Sequence, residues 1–377
     1  MIDQFGEPHS RQLLPTPALV CDADLLSGNI ERMATIAASA NVGLRPHVKS
    51  HKSAYVARRQ LDAGAAGLAF AKLSEAEAVV ARLRAEGYAA PISALLTSPL
   101  VGSAVHERAV ALSRECDLML VVDHEDAVDE LSTVFEDERE SLAVLCDVDV
   151  GLARTGVVSP AAAVRVTERI STSKRLHFAG VQGYAGHLQH VHGREQRRRA
   201  TLESAQRLQN VIELLEHEGH RVSLRTGGGT GTSEIDIEIG LLNELQPGSY
   251  VFMDREYRDA LGSDPEGRFR QSLTIATTVV SSNQENFVTV DAGLKAMATD
   301  AGPPLIVGHE ATARYEFFGD EHGLVTTGSR DSFVRGTRLD LVPPHCDPTV
   351  DRYDVMWLVR DDAVVGVVDV VARGCSQ

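Results

Sequence analysis

The apolar positions in the first two thirds of the chain form short continuous runs, which alternate with longer segments whose apolar residues recur every third or fourth position. Short apolar runs between turn signals are typical of buried strands, and the longer spacing is typical of helices. Eight strands are predicted in this part, at 42–48, 67–70, 91–95, 118–122, 142–147, 178–182, 222–225 and 243–246. Helices are predicted between them, most clearly at 74–86, 125–135, 160–170 and 194–218.

This alternation predicts an α/β protein with a parallel sheet. A helix between two strands carries the chain back across the sheet, so that the second strand runs in the same direction as the first. Eight such units over about 230 residues match the size of a (β/α)8 barrel of the TIM type. The main alternative is a doubly wound open sheet, which would carry a Gly-x-Gly-x-x-Gly turn after its first strand. No such turn follows the strand at 42–48, and the barrel is therefore favoured.

The pattern changes after Tyr257. Short β-rich runs are then separated by Gly, Pro, Asn and Asp, and this predicts a second, mostly antiparallel β domain. The runs lie at 272–281, 286–292, 325–328, 338–342, 355–359 and 364–372. A strand at 16–21 is left over once the barrel has its eight, and it could join the second domain. We therefore expect a barrel at 22–257 and a β domain at 258–377 that also includes residues 1–21.

Composition and charge exclude several classes of function. The 377 residues carry a formal net charge of −16, which argues against a nucleic-acid partner or an anionic membrane surface. No run of about 18 apolar residues predicts a membrane-spanning helix, and the segment 1–11 lacks the apolar core of a signal peptide. The five cysteines are scattered without a Cys-x-x-Cys pair, which predicts reduced thiols and a cytoplasmic protein.

The first barrel strand ends in the basic segment Arg45-Pro-His-Val-Lys-Ser-His-Lys52, which surrounds Lys49 with cationic and imidazole side chains. Like charges lower the pKa of a lysine, and an amine that is partly neutral can attack a carbonyl carbon to form an imine. A solvated basic loop would have the same composition. The loops after the strands of a (β/α)8 barrel form its catalytic face, however, and Lys49 lies in the first of them.

Two glycine-rich segments follow the last two barrel strands. Thr226-Gly-Gly-Gly-Thr-Gly-Thr232 comes after the seventh strand, and Gln246-Pro-Gly248-Ser249 comes after the eighth. Glycine allows backbone N–H groups to approach an anion closely, and these two loops form the recurrent phosphate site of the fold. Either segment alone would be read as a flexible turn, but the two together favour a phosphate-bearing ligand.

A phosphate site and an amine-bearing lysine at one end of a barrel indicate pyridoxal 5′-phosphate. Its aldehyde would join Lys49, and its phosphate would lie at Thr226 and at Gly248-Ser249. Arg154 and Tyr184 follow the fifth and sixth strands and could contact the ring. Without the other residues, a surface charge and a core aromatic would explain these two side chains equally well.

A second candidate site lies in the β domain, within Pro343-Pro-His-Cys-Asp-Pro348. Residues i and i+2 of an extended segment point to the same side, so His345 and Asp347 would face one way and Cys346 the other. An imidazole and a carboxylate suit a divalent ion such as Mn²⁺ or Mg²⁺. His-x-Asp turns are common, and the pair alone is a weak signal.

As a set, these segments resemble the D-threonine aldolases and their relatives, the D-serine dehydratases and 3-hydroxy-D-aspartate enzymes, over nearly the whole chain. That family has the alanine-racemase-like architecture, fold type III, for pyridoxal phosphate. The resemblance is carried by Thr16-Pro-Ala, Arg45-Pro-His-Val-Lys-Ser-His-Lys52, Ser74-Glu-Ala-Glu77, Gly151-Leu-Ala-Arg154-Thr-Gly156, Gly183-Tyr184 with Gln189-His190, Thr226-Gly-Gly-Gly229, Gln246-Pro-Gly-Ser249 and Pro344-His-Cys-Asp-Pro348.

The resemblance implies a role for each matching residue. Lys49 would carry the cofactor, and His190 would act as base near the β-hydroxyl of the substrate. His345 and Asp347 would hold the metal. The other cofactor contacts that it implies are Arg154, Tyr184, Thr226, Gly228, Gln246, Gly248, Ser249 and Tyr257. Alanine racemases carry arginine where this chain has Gln246, and either residue would favour protonation of the ring nitrogen less than a carboxylate does.

The activity that the resemblance implies is retro-aldol cleavage of D-threonine and related D-β-hydroxy-α-amino acids to glycine and an aldehyde, in a homodimer. A divalent ion on the β-hydroxyl would lower the pKa of that hydroxyl. The dehydratase branch resembles His-x-Cys at the metal pair, a softer set suited to Zn²⁺, so Asp347 favours the aldolase. The alternatives are a D-serine or 3-hydroxy-D-aspartate dehydratase, a 3-hydroxy-D-aspartate aldolase and a non-catalytic carrier of pyridoxal phosphate.

Overall fold

The computed structural model describes residues 10–138, 141–262, 269–327 and 333–377. The chain divides into two compact units. The barrel unit comprises Met33–Lys49, Val56–Gly248 and Cys375–Gln377, and the β unit comprises the residues up to Arg32, Ser50–Tyr55 and Ser249–Gly374. Parts of two predictions, the polar segment 1–9 and the strand end at Gly328, lie outside the described residues.

Strands and helices alternate through the first two thirds of the chain, and strands predominate after it. The strands are β1 (Ala18–Asp22), β2 (Gly43–Leu44), β3 (Leu68–Phe70), β4 (Ser93–Leu96), β5 (Asp117–Val122), β6 (Leu142–Asp147), β7 (Leu176–Gly183), β8 (Leu224–Gly227), β9 (Glu244–Leu245), β10 (Leu273–Ser281), β11 (Phe287–Val290), β12 (Leu305–Ile306), β13 (Ala313–Phe317), β14 (Gly323–Thr327), β15 (Arg338–Val342), β16 (Val355–Arg360) and β17 (Ala363–Asp369). The α-helices are α1 (Ala23–Ser39), α2 (Ala54–Asp62), α3 (Leu73–Ala85), α4 (Ser103–Ser113), α5 (Glu125–Val134), α6 (Pro160–Thr172), α7 (Arg194–His217), α8 (Ser233–Ile239), α9 (Arg255–Leu261) and α10 (Cys346–Val350).

The barrel unit contains one sheet in the order β2-β9-β8-β7-β6-β5-β4-β3. Its neighbouring strands are parallel throughout. The two ends of this order meet where the Ala69 N–H of β3 donates to the Pro46 carbonyl (2.9 Å) and the Ala66 N–H donates to the Leu44 carbonyl of β2 (2.7 Å). This closure confirms the predicted eight-stranded barrel, and each of the eight predicted strands overlaps an observed one.

Apolar side chains of neighbouring strands pack together within the barrel sheet. Leu95, Met119, Val121, Ala143 and Leu145 form one buried cluster from β4, β5 and β6. Alternate residues of a strand share a face, and β5 is buried on both faces from its second residue onward. Burial on both faces explains why the barrel strands are continuous apolar runs in the sequence. Truncating a side chain such as Leu95 to alanine would cost about 2–5 kcal/mol.

Helices α5 and α6 of the barrel begin at side chains that cap them. Ser159 accepts a hydrogen bond from the Ala162 N–H (3.3 Å) at the start of α6, and Pro160 occupies the first turn, where no N–H is needed. Helices α2, α4 and α8 of the barrel unit are absent from the clearest predicted set. Helix α4 follows Gly102 without a side-chain cap, so its start carries no strong signal in the sequence.

The β unit contains a nine-stranded sheet with the path β13-β14-β11-β10-β1-β16-β17, and β15 pairs with β10 and β12. Its strand pairs are antiparallel except for β1 with β16. The strand predicted at 16–21 is β1, in which Val20 pairs with Thr274 of β10 and Trp357 of β16. The mostly antiparallel β domain is therefore confirmed.

Two features of the β unit differ from the prediction. Strands β12 and β13 are absent from the predicted set. Strand β13 alternates buried residues with exposed Arg314, and it therefore lacks a continuous β-rich run. The two compact units divide between Gly248 and Ser249, upstream of the predicted domain boundary after Tyr257. In the part of the chain that the structure describes, none of the helices is long and apolar enough to cross a membrane.

Candidate active site

A pocket opens at the carboxyl end of the barrel strands. Lys49, Arg154, Tyr184 and Gln246 line it together with His47. The four predicted residues follow the first, fifth, sixth and eighth barrel strands, so the closed parallel sheet brings together side chains that are far apart in the chain. In (β/α)8 barrels the catalytic groups lie at this end.

Lys49 is positioned by a one-turn 3-10 helix, Val48–Ser50, and by the side chain of His47. The hydroxyl of Thr97 donates to the Phe70 carbonyl (3.0 Å) and therefore accepts from His47 Nε2 (3.2 Å). The other ring nitrogen, Nδ1, accepts the backbone N–H of Lys49 (3.4 Å). His47 is thus a positioning residue that the sequence analysis places in the basic segment without a role of its own.

The second lysine of the basic segment, Lys52, has a different environment. Within the β unit its Nζ lies 2.7 Å from Asp351 Oδ1, and only 11% of the lysine side chain is exposed. Lys49 instead lines the barrel pocket. Of the two lysines, it is therefore Lys49 that lines the pocket at the carboxyl end of the barrel strands.

Arg154 and Tyr184 contact each other at the pocket. The guanidinium carbon of Arg154 lies 5.5 Å from the centroid of the Tyr184 ring, within the range of a cation–π interaction. The loop that carries Arg154 is held by Asp149 Oδ1, which accepts the N–H groups of Gly151 (2.9 Å) and Ala153 (3.0 Å). Burial alone would raise the pKa of Asp149, but these backbone donors outweigh it and lower the pKa.

A chain of hydrogen bonds runs beneath the pocket, and its first part joins the eighth strand to the seventh. Arg45 Nε donates to Glu244 Oε1 (2.8 Å), and both side chains are about 5% exposed. The hydroxyl of Thr226 donates to the same carboxylate oxygen (2.9 Å) and accepts from Gln246 Nε2 (2.9 Å). The Thr226 hydroxyl, which the sequence analysis places at the phosphate, is therefore used beneath the pocket.

The second part of this series of hydrogen bonds continues through the sixth strand to the fifth. Gln246 Nε2 also donates to Gln182 Oε1 (3.3 Å). Gln182 Nε2 donates to the Thr97 carbonyl (3.1 Å) and to Asp147 Oδ1 (2.9 Å). Burial raises the pKa of Asp147, and the hydrogen bonds from Gln182 and Thr155 partly offset that rise. Gln182 and Thr97 line the same pocket, and their spacing in the sequence gave no sign of this role.

The glycine loop after β8 is packed so closely that side chains would not fit. A Cβ on Gly227 would lie 2.1 Å from the Gly183 carbonyl oxygen, and one on Gly229 would lie 2.5 Å from Gln189 Oε1. Gly228 has φ +68°, a conformation that favours glycine. Gln189 Oε1 also accepts the Gly231 N–H (2.9 Å) and fixes the loop. A glycine loop held in this way fits the phosphate of the predicted cofactor.

One buried carboxyl group lies against this loop. A Cβ on Gly228 would lie 2.6 Å from Asp236 Oδ2, the oxygen that accepts a hydrogen bond from Thr232 Oγ1 (2.7 Å). Burial raises the pKa of Asp236 to about 7, although the Thr232 hydrogen bond lowers it. The raised pKa favours the neutral form of Asp236, and this lessens the negative charge that opposes an anion at the loop.

The remaining predicted cofactor residues do not line the Lys49 pocket. Gly248 is the last residue of the barrel unit before the boundary. Ser249 and Tyr257 belong to the β unit, where the Ser249 hydroxyl donates to Asp347 Oδ1 (3.3 Å) and Tyr257 is buried in α9. His190 is half-buried beyond the 3-10 turn Gly186–Leu188. Among the described residues that line the pocket, the imidazole is that of His47.

The predicted metal pair lies in a group of acidic residues in the β unit, which we call the acidic cluster. It consists of His345, Asp347, Asp300, Glu256 and Asp254. His345 Nδ1 lies 2.7 Å from Asp300 Oδ2 and 4.0 Å from Glu256 Oε2. Burial lowers the pKa of His345, but the carboxylates of Asp347, Asp300 and Asp254 raise it by more. The cluster therefore has the negative potential that attracts a cation.

The backbone at the metal pair differs from the expectation of an extended segment. His345 is extended (φ −141°, ψ 121°), but the next residues form the short helix α10, with Asp347 in its first turn. Pro348 permits this helix because the first turn needs no N–H from it. Cys346 does not point away from Asp347, since its Sγ lies 3.3 Å from Asp347 Oδ1.

His345 and Asp347 carry donor atoms of the kinds that bind divalent metal ions. An imidazole whose Nδ1 is hydrogen-bonded to a carboxylate has its tautomer fixed, so that Nε2 carries the lone pair. Asp254 supports the segment from beneath, because its Oδ1 accepts the Tyr257 N–H (3.0 Å) and its Oδ2 accepts the Cys346 N–H (2.8 Å). Over the described residues, no group of three or more His, Cys, Asp and Glu side chains is arranged to hold a metal ion. His345 and Asp347 would therefore leave coordination positions for water or substrate.

Known proteins resemble both units. The alanine racemase N-terminal domain family matches residues 21–256, and a serine dehydratase domain family matches residues 272–359. D-threonine aldolase from Arthrobacter sp. is 35% identical over 99% of this chain and 96% of its own length. 3-hydroxy-D-aspartate aldolase from Paracoccus denitrificans (strain Pd 1222) is 33% identical over 96% of this chain and 92% of its own length.

A solved structure agrees with these matches over the whole chain. The crystal structure of D-threonine aldolase from Filomicrobium marinum has a TM-score of 0.92 to this chain and is 32% identical, with 98% of each chain covered. The matched families follow each other in the same order as the barrel and the β-rich part of this chain. The chain therefore belongs to the D-threonine aldolase family of lyases, which have the alanine-racemase-like fold for pyridoxal phosphate.

Proposed function

We propose that the protein cleaves D-threonine and related D-β-hydroxy-α-amino acids to glycine and an aldehyde, with pyridoxal phosphate and a divalent metal ion. The observation that carries this proposal is the pocket in which Lys49 lies with Arg154, Tyr184 and Gln246. Two aldolases that act on D-β-hydroxy amino acids are among the relatives, which supports the same reaction class.

The pocket residues bind and orient the cofactor. When bound, pyridoxal phosphate supplies the electron sink for the bond that breaks at the α-carbon. Lys49 supplies the amine that holds the aldehyde carbon, and His47 fixes the backbone of that lysine. Arg154, packed on Tyr184, offers N–H donors to an oxygen of the ring. The glycine loop offers backbone N–H groups to the phosphate.

His345 and Asp347 of the acidic cluster would hold the divalent ion, and Mn²⁺ or Mg²⁺ would suit this donor set. Such an ion lowers the pKa of a hydroxyl that binds to it. His190 is our candidate for the base that accepts the proton of the β-hydroxyl. The β-oxygen then becomes the carbonyl oxygen of the leaving aldehyde as the Cα–Cβ bond breaks, and a proton is added at the α-carbon to give glycine.

The residues of the acidic cluster favour cleavage over loss of the hydroxyl group. A metal pair with a thiolate would be softer and would suit Zn²⁺. Here the residue two positions after His345 is Asp347, and the one neighbouring thiol, Cys346, is fully buried beside Asp347. We therefore propose an aldolase and not a dehydratase.

The products from D-threonine test the proposal. The protein is loaded with pyridoxal phosphate and Mn²⁺, and glycine, acetaldehyde, ammonia and 2-oxobutyrate are measured. We expect glycine and acetaldehyde in equal amounts. Formation of 2-oxobutyrate and ammonia would assign a dehydratase and overturn the proposal. If neither D-threonine nor 3-hydroxy-D-aspartate is turned over with Mn²⁺ or with Mg²⁺, the protein would be a non-catalytic carrier of pyridoxal phosphate. Turnover of 3-hydroxy-D-aspartate alone would assign the related aldolase.

We also propose a homodimer in the cytoplasm. The family architecture supports the dimer, and the scattered cysteines, four of them buried and none of them in a disulfide over the described residues, support a reducing compartment. Light scattering of the purified protein should give twice the chain mass of 40.7 kDa. The mass of a single chain would contradict the dimer.

A further inference from the structure

The hydrogen-bond chain beneath the pocket ends at both sides in groups that can only accept. One end is the backbone carbonyl of Thr97, and the other is the carboxylate of Glu244, which is paired with Arg45. A chain of amides and hydroxyls between two such ends has a defined direction, because each member must donate toward an acceptor. The direction decides which atoms Gln246 presents to the pocket.

The Thr97 end fixes Gln182 first. A carbonyl oxygen cannot donate, so the Gln182 group next to it must be the amide nitrogen (3.1 Å). The same nitrogen donates to Asp147 Oδ1 (2.9 Å), and both of its N–H groups are then in use. Gln182 Oε1 must consequently face Gln246, where it accepts a hydrogen bond from Nε2 (3.3 Å). The Thr97 carbonyl imposes this orientation whatever the protonation state of Asp147.

The Glu244 end fixes the same amide independently. The Thr226 hydroxyl has one proton, and it donates that proton to the Glu244 carboxylate (2.9 Å). Thr226 can therefore only accept from Gln246, so its neighbour must again be the amide nitrogen (2.9 Å). Two separate acceptors thus require the same orientation of Gln246, and a flipped amide would place its oxygen against two oxygens.

Both N–H groups of Gln246 are used inside the barrel, and only its carbonyl oxygen remains for a ligand. Gln246 lines the pocket, and within the described residues its Oε1 accepts no hydrogen bond. We propose that Gln246 acts as a hydrogen-bond acceptor for the ring nitrogen of pyridoxal phosphate and so holds that nitrogen in its protonated form. This inference depends on the proposed function, because it requires the cofactor in this pocket.

The proposal separates Gln246 from the two other residue types considered at this position. An arginine could only donate and would favour a ring nitrogen without a proton. A carboxylate would favour the protonated ring more strongly than an amide, since it adds charge to the hydrogen bond. The effect of Gln246 on protonation of the ring nitrogen is intermediate between those of an arginine and a carboxylate. The Arg45–Glu244 pair orients the Thr226 hydroxyl, and that hydroxyl in turn orients Gln246 with its oxygen available as an acceptor.

The test measures the protonation of the ring nitrogen directly. The protein is loaded with pyridoxal phosphate labelled with nitrogen-15 in the ring, and the nitrogen-15 resonance is followed by NMR as a function of pH. In wild type we expect a ring N–H, seen as a proton coupled to the labelled nitrogen, near neutral pH. In Gln246→Met, which has similar length and no acceptor oxygen, we expect the titration midpoint to fall by about 1–2 pH units.

The comparison isolates the residue because the surrounding titratable groups are shared. Lys49, His47, Arg154 and Tyr184 line the pocket in both proteins. Asp147 and the Arg45–Glu244 pair lie beneath it in both. Gln246→Leu replaces the methionine variant if that variant does not fold, and the wild-type N–H resonance is decisive without either variant.

A wild-type midpoint equal to or below that of the variant would overturn the proposal. A ring nitrogen that carries no proton at any pH at which the protein stays folded would do the same. Failure of the underlying function has a different signature: the labelled cofactor would not be retained on gel filtration, and its visible absorbance would be lost. Retained cofactor with an unprotonated ring would refute the role of Gln246 alone.

Discussion

The barrel pocket and the acidic cluster are both polar sites in partly buried surroundings, but their polar groups differ in how they are paired. Beneath the pocket, Gln182, Gln246 and Thr226 satisfy one another and lead to a single buried ion pair. In the acidic cluster, the carboxylates of Asp347, Asp300 and Asp254 all raise the pKa of His345. The first site contains the paired charges of Arg45 and Glu244, whereas the named residues of the second are four carboxylates and one imidazole.

This difference indicates what each site needs from its ligand. A hydrogen-bonded network with a defined direction orients a ligand, because most of its donors and acceptors already bind one another. A cluster in which carboxylates outnumber the cationic side chains gains stability when a cation binds. We therefore expect changes in the barrel network to alter the state of the bound cofactor, and changes in the acidic cluster to be corrected by a higher metal concentration.

The largest expected effect comes from the reactive lysine, and a matched pair of substitutions isolates it. Lys49→Arg keeps the positive charge but removes the amine, so we expect loss of the visible absorbance band of the bound cofactor and a fall in activity of several orders of magnitude. Lys52→Arg keeps a cation for Asp351 and should retain both. Absorbance spectra and product assays of the two variants provide the measurement. An absorbance band that survives in Lys49→Arg and disappears in Lys52→Arg would show that the cofactor is bound to Lys52, and it would contradict this prediction.

The next largest effect concerns the orientation of the metal-binding imidazole. Asp300→Asn weakens the partner of His345 Nδ1, and loss of such a partner typically costs about 10–100-fold in metal affinity. Calorimetric titration of the metal-free protein with Mn²⁺ measures this loss, and excess Mn²⁺ should restore activity. The cofactor band should not change, which would confirm the contrast between the two sites.

Two control variants set the lowest and the highest Mn²⁺ affinity expected in this experiment. His345→Ala should abolish measurable Mn²⁺ binding at concentrations that saturate the wild type. Asp354→Asn, which alters a surface aspartate paired with Arg373 in the same unit, should bind like wild type. Equal Mn²⁺ affinity in Asp300→Asn and wild type would contradict the role of Asp300.

The smallest expected effect is a pH dependence of stability at the glycine loop. Burial raises the pKa of Asp236 from 3.8 to about 7, so the protonated folded state is favoured below that pH. The stabilisation is complete below about pH 4 and is lost as the pH rises through about 7. Asp236→Asn stays neutral, so its free energy of unfolding relative to wild type should increase between about pH 4 and 8, by an amount on the order of 2–4 kcal/mol.

Thermal or urea denaturation of Asp236→Asn and wild type across this pH range measures the difference. Asp62→Asn, at an aspartate on α2 whose side chain is 57% exposed, serves as the matched control and should show no such trend. A difference between Asp236→Asn and wild type that does not vary with pH would show that Asp236 is already ionised in the folded protein.

The barrel was predictable because its strands are buried on both faces. That burial makes β5 and β6 continuous apolar runs, which the sequence displays directly. The residues after those strands could then be assigned to one end of the barrel, which is how Lys49, Arg154, Tyr184 and Gln246 were found. Strand β13 was missed for the opposite reason, since its exposed positions carry charged side chains.

The network beneath the pocket could not be predicted from the sequence. Gln182 and Gln246 are 64 residues apart in the chain, and which of their amide atoms meet depends on the Thr97 carbonyl and on Glu244. Local spacing contains neither fact. The helical turn at Asp347 was also mispredicted, because a proline can end an extended segment or sit in the first turn of a helix with the same local sequence.

The central claim is that the barrel pocket holds the cofactor through Lys49, and chemical trapping tests it most directly. Wild-type protein loaded with pyridoxal phosphate is reduced with borohydride, digested and analysed by tandem mass spectrometry. We predict a stable phosphopyridoxyl group on Lys49, with Lys52 unmodified in the same peptide. The group on Lys52 or on any other lysine, or no modification at all, would contradict the claim.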